Sequence, residues 1–111
     1  MRNIPQRNNN PGNLVFAGQH EATSKDEHGF AIFPMPEAGF RALVAQIRLD
    51  QTRKLTLDAF TAKYDKDANE RNYLKRFMDE FKVDKDYPIA ALSPYAIMGV
   101  IASEEGYLAV V

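Results

Sequence analysis

The 111-residue chain contains no cysteine. That removes disulfide frameworks, thiolate metal sites and cysteine nucleophiles from consideration. It also lacks any apolar run of membrane-spanning length, and its first residues lack the apolar centre of a secretory signal. The sequence therefore predicts no membrane insertion, and synthesis without a signal peptide. Charge of one sign is missing too: 14 Lys and Arg stand against 15 Asp and Glu, for a formal net charge of −1. These charges are mixed along the chain, which argues against the clustered basic surface of a nucleic-acid binder. No internal repeat is visible. Length and composition fit one globular domain, residues 1–111, with a single core.

What is present begins with Arg7-Asn8-Asn9-Asn10-Pro11-Gly12-Asn13-Leu14. Asparagines around a Pro-Gly pair make a poor helix and a poor strand. Each Asn amide carries a donor and an acceptor, so the segment suits two roles. It can be a loop held rigid by its own amides, or a polar wall that recognises hydroxyl-rich and acetamido-bearing ligands.

Further along, residues 14–17 and 30–33 read as two short strands of a hairpin, with 18–29 as a long polar turn. Such a hairpin must lean on helices. Pro36 and Glu37 open a helix from about Pro36 to Thr52, with Phe40, Leu43, Val44, Ile47 and Gln51 at helical spacing. Thr56 can cap a short helix from Leu57 to about Tyr64. Residues 65–69 read as a charged turn. Asn69 can cap a helix running to about Lys82, whose Tyr73, Leu74, Phe77, Met78 and Phe81 read as core. Ser93 and Pro94 open a last helix with Ile97, Val100, Ile101 and Leu108 on its buried side. The fold expected is α+β and mostly α: a β-hairpin packed on about four helices.

Catalytic signatures are few. His20 and His28 share one loop and no serine sits on a nucleophile elbow, so a Ser-His-Asp triad has no support. The same histidines with Asp26 and Glu27 match no recognised metal-ligand spacing, and no metal or cofactor is expected. Gly12, Gly18 and Gly29 form no phosphate-cradling loop. Glu104 and Glu105 are more informative, ending an apolar helix just before Gly106. Glu104 falls near the line of buried positions, where desolvation would raise a carboxyl pKa, as a glycosidic general acid requires. The alternative is a pair of solvated glutamates on a frayed last turn.

The run Asn9-Asn10-Pro11-Gly12-Asn13-Leu14, followed by Phe33 and Pro36-Glu37-Ala38-Gly39-Phe40-Arg41-Ala42, resembles phage and prophage proteins carrying an R-N-N-N-P-G-N motif. More distantly it is similar to the lysozyme-like cell-wall glucosaminidases, including the flagellar type. In those enzymes an N-N-L-F-G-I-type segment leads into a hairpin and then an acidic turn opening a helix. Tyr64-Asp65-Lys66-Asp67 through Tyr73 is a loosened form of their Y-A-T-D-P-x-Y stretch. Their catalytic helix ends in glutamate, small polar residue, glycine, and precedes the N-N-L segment. Here the matching Glu104-Glu105-Gly106 lies at the other end of the chain, so the resemblance implies a circularly permuted, small lysozyme-like domain. Close chain termini make such a permutation physically tolerable.

The resemblance implies cleavage of bacterial peptidoglycan at a β-1,4 glycosidic bond. Glu104 would be the general acid, with Glu105 in the place of the small polar residue. Glu21, Asp26 or Glu27 would supply the second carboxylate, Asn9, Asn10 and Asn13 would bind acetamido groups, and Tyr64 would contact sugar. Such a protein would act in a virion or at the cell wall. Two rivals carry different expectations. A non-catalytic component of a phage particle or secretion machine would bind cell-wall glycan or a protein partner, and a small host-takeover protein would show a large exposed apolar patch.

Overall fold

A computed structural model describes residues 2–65 and 69–109. The domain is α+β and mostly helical. Among the described residues, no helix is long and apolar enough to cross a membrane.

Ahead of the Asn-rich loop stands a single helical turn, α1 (Ile4–Arg7), for which the sequence predicts no element. Its cause is a capping box: Asn3 Oδ1 accepts from the Gln6 backbone N–H, and Gln6 Oε1 accepts from that of Asn3, both at 3.0 Å. The loop behind it is tied down by its own amides. Asn8 donates to Asp26 Oδ2 (2.8 Å) and Asn9 to the Phe33 carbonyl (3.0 Å). Asn10, fully buried, accepts from the Leu14 N–H and donates to the carbonyls of Leu14 and Ala31.

The hairpin forms with a different register from the one expected. Strand β1 is Ser24–Lys25, paired antiparallel with β2, Ala31–Ile32. Residues 14–17 contribute only a bridge from Val15 to Phe30 along the outer edge. Asp26 decides this. Its Oδ1 accepts from the backbone of both His28 and Phe30 at 2.9 Å, and Gly29 turns the chain at φ +88. Those bonds fold 26–29 into a tight turn, so the strand returns on 24–25 rather than on 14–17.

Helix α2 (Pro36–Thr52) occupies the span its spacing predicts, with Leu43 and Ile47 fully buried. At Gly39 it lies so close to the Asn-rich loop that a Cβ there would stand 1.9 Å from the Asn9 carbonyl oxygen. Helix α3 (Leu57–Ala62) is capped by Thr56, whose hydroxyl accepts from the Ala59 N–H at 3.2 Å. The turn expected over 65–69 lies largely outside the described residues. Helix α4 (Asn72–Phe81) begins three residues beyond Asn69. Asp65 meets its first turn, accepting from the Tyr73 N–H at 2.6 Å, while Arg71 precedes it in the left-handed region at φ 49.

A 3-10 turn at Ile89–Ala91 is pinned to α2 by Gln51, whose amide donates to the carbonyls of Ile89 and Leu92. Gln51 thus sits on the inner stripe as a hydrogen-bonding group. Helix α5 (Pro94–Glu104) is capped by Ser93 and packs on α2 and α4. Ile97, Val100 and Ile101 enter the core, whereas Leu108, expected there, is 61% exposed because the helix ends before reaching it. The main core joins Leu43, Ile47, Leu57, Phe60, Phe77, Ile89, Ile97 and Ile101, and a smaller cluster of Ala31, Phe33 and Ala38 seats the hairpin.

Candidate functional site

The head and tail of the chain meet. Asn3 Nδ2 donates to the Gly106 carbonyl (2.7 Å), and Gln6 Nε2 donates to those of Tyr107 (3.0 Å) and Ala109 (2.9 Å). Gly106, at φ +83, supplies the left-handed turn that sends the chain back to α1 after α5.

Between α1 and the adjoining ends of α4 and α5 lies an open cleft of about 920 Å³. Arg2, Asn3 and Arg7 line it from the head of the chain, and Tyr73, Glu104 and Glu105 from the two helices. A second cleft of about 420 Å³ is lined by Gly12, Gln46 and Lys63. Asn13, Tyr64 and Glu105 line both, so the two are parts of one groove passing over these three side chains.

The two glutamates sit in different surroundings. Glu104 is the last residue of α5 and exposed, and its carboxylate pairs with Arg76 of α4 at 2.7 Å. The expectation that it faces inward is corrected: the helix turns its carboxylate to a surface cation. Glu105, one residue on, is half-buried and accepts a hydrogen bond from the Tyr73 hydroxyl. Burial, reinforced by that bond and the Glu105 charge, pushes the Tyr73 phenol far above its ordinary pKa. Tyr64 is raised in the same direction by burial, then by the charges of Asp50 and Glu105.

The asparagines divide. Asn10 has no exposed surface and its amide is committed to the fold, so it belongs to the scaffold rather than to a binding wall. Asn9, with its amide on Phe33, lines neither cleft. Asn13 lines both, and its Oδ1 is buried without a hydrogen-bond donor among the described residues. An unmet acceptor of this kind costs about 1–3 kcal/mol, which a ligand N–H could offset.

The hairpin carboxylates lie outside the groove. Glu27 sits on the tight turn, largely exposed, 3.6 Å from His28. Asp26 spends its oxygens on Asn8 and the turn backbone. Burial opposes its charge, but the Asn8 amide and the Phe30 and His28 N–H groups prevail and hold its pKa below the usual value. Glu21 is gripped by both ends of the Arg41 guanidinium, at 2.6 and 2.7 Å.

Tyr64 is half-buried, its ring 5.3 Å from Tyr73 and 5.4 Å from Phe60, so much of its surface is committed to neighbouring aromatics. Three features had no sequence signal. Asp50, in the last turn of α2, is fully buried and held by Lys63 (2.5 Å) and Arg53 (3.2 Å). Arg71 clamps Asp58 and Asp65 beside the groove. The hydroxyl of Tyr73, read as core, reaches the site while its ring packs near Phe77, at 6.4 Å.

No family model, no curated protein and no solved structure matches the chain.

Proposed function

We propose that the chain is a peptidoglycan-cleaving glycosidase of lysozyme-like character, working in the groove between its head and its last helix. The single observation that carries the reading is Glu105, half-buried on the strip common to both clefts, beside Asn13 and Tyr64. A glycosidic general acid must give a proton to the leaving oxygen. The Tyr73 hydroxyl engages Oε2 of Glu105, which orients the carboxyl and leaves Oε1 to carry that proton. Glu104, matched to the acid by the resemblance, is exposed and held in an ion pair by Arg76. The acid is therefore Glu105, and Glu104 is an anionic neighbour able to stabilise a developing oxocarbenium ion. The unmet acceptor of Asn13 suits the N–H of an acetamido substituent.

A second reading has its own support. Arg76 pairs with Glu104 and the Tyr73 hydroxyl donates to Glu105, so both carboxyls are engaged within the fold, and a groove with no free acid binds glycan without cutting it. Clearing of a purified cell-wall suspension separates the two. Wild type and Glu104→Gln should clear, Glu104→Gln more slowly, and Glu105→Gln should be slower than wild type by about a hundredfold or more. Clearing by Glu105→Gln at the wild-type rate overturns the assignment of the acid. Wall binding without clearing by any form establishes the binding module.

A further inference from the structure

The arginines of this protein fall into two groups. Arg41, Arg48, Arg53, Arg71 and Arg76 each reach an acidic or hydroxyl side chain: Glu21, Tyr95, Asp50, Asp58 with Asp65, and Glu104. Arg2 and Arg7 are exposed, and among the described residues neither guanidinium has an ion pair or hydrogen bond. Both line the larger cleft, on the side built by the head of the chain. Four carboxylates line the same cleft, each already engaged: Glu104 by Arg76, Glu105 by the Tyr73 hydroxyl, Asp65 by Arg71 and Glu70 by the Asn72 amide. The groove thus carries two guanidiniums with no partner among the described residues, beside carboxylates that are each engaged by a neighbour in the fold.

We propose that Arg2 and Arg7 recognise carboxylates carried by the glycan, so that the groove selects an acidic amino-sugar polymer over a neutral one. This rests on the glycan reading above and adds the residues that hold the polymer's acidic groups. A guanidinium offers a planar fork of N–H donors matched to a carboxylate, and an open groove leaves room for such a group beside the sugar ring. In peptidoglycan the carboxylate has two sources: the lactyl ether of a bare strand, or the stem peptide of a substituted one. A neutral N-acetylglucosamine polymer has neither.

Binding, rather than cleavage, tests this. Calorimetric titration of the full chain with three soluble oligosaccharides of equal length would use neutral N-acetylglucosamine, glycan with free lactyl carboxylates, and glycan with stem peptides. Wild type should bind one of the acidic ligands roughly tenfold tighter than the neutral one, and which ligand gains identifies the carboxylate. The double variant Arg2→Gln/Arg7→Gln should lose that preference while keeping its affinity for the neutral ligand, and Arg2→Lys/Arg7→Lys should restore part of it. Neither guanidinium is bonded among the described residues, so an unchanged melting temperature is the control. Equal binding of neutral and acidic ligands by wild type, or a preference retained by the glutamine variant, overturns the inference and leaves the glycan reading standing. Binding of none of the three overturns both.

Discussion

The Tyr73 hydroxyl donates a hydrogen bond to the Glu105 carboxylate, joining the first turn of α4 to the residue that follows α5. The ring of Tyr73 is almost fully buried, so the bond fixes a half-buried carboxyl to a rigid support. Tyr73→Phe keeps the ring and removes the bond. We expect a stability loss of about 1–2 kcal/mol, the lower part of the range for bonds to charged groups because Glu105 is partly solvated. If Glu105 is the acid, wall clearing should slow as well. Denaturant titration beside the clearing assay checks both, and unchanged clearing would mean that the phenol does not orient the acid.

The phenols of Tyr64 and Tyr73 also predict an alkaline transition. Burial is the main cause of both raised pKa values, and a raised phenol pKa favours the neutral form in the folded state. The stability they contribute is intact below the ordinary phenol value of 10.0 and is lost as pH rises through the folded values. Phenolate absorbance should therefore show two tyrosines ionising only with unfolding, and Tyr73→Phe should leave one. Smooth reversible ionisation of all five tyrosines would contradict this.

Gly39→Ala should be among the most damaging small substitutions. The new methyl would meet the Asn9 carbonyl at 1.9 Å, and backbone on both sides must move. A loss of about 2–3 kcal/mol or more is expected from forced overpacking. Chemical denaturation measures it, and a neutral outcome would show that α2 and the loop separate at little cost.

Lys63→Met should destabilise the fold through Asp50. It removes the 2.5 Å partner of a carboxylate with no exposed surface, leaving Arg53 and a weaker contact from Gln46. Breaking a buried pair from one side costs about 3–5 kcal/mol, reduced here by the remaining arginine. Asp50→Asn in the Lys63→Met background should recover part of the loss, which a thermal melt of the single and double variants would test.

How much of this was legible in the sequence follows from where each signal resides. Pro36, Thr56, Ser93 and Pro94 mark helix starts through their own backbone and side-chain chemistry, and those helices begin where expected. The hairpin register was hidden because it depends on which N–H groups Asp26 accepts from, and 14–17 has as much strand character as 24–25. The start of α4 was hidden because its first turn is met by Asp65 and preceded by a left-handed Arg71, a conformation no propensity favours. The glutamates illustrate the limit best. Helical spacing put Glu104 on the inner line, but α5 ends there, and the following residue reaches the buried phenol.

The bonds from Asn3 and Gln6 to the carbonyls of Gly106, Tyr107 and Ala109 make one rim of the groove from two remote stretches of chain. Fraying of the last residues would therefore slacken the opposite bank, and a ligand bridging both banks would act as a latch that slows that fraying. Amide exchange across 3–7 and 106–109 should accordingly rise and fall together.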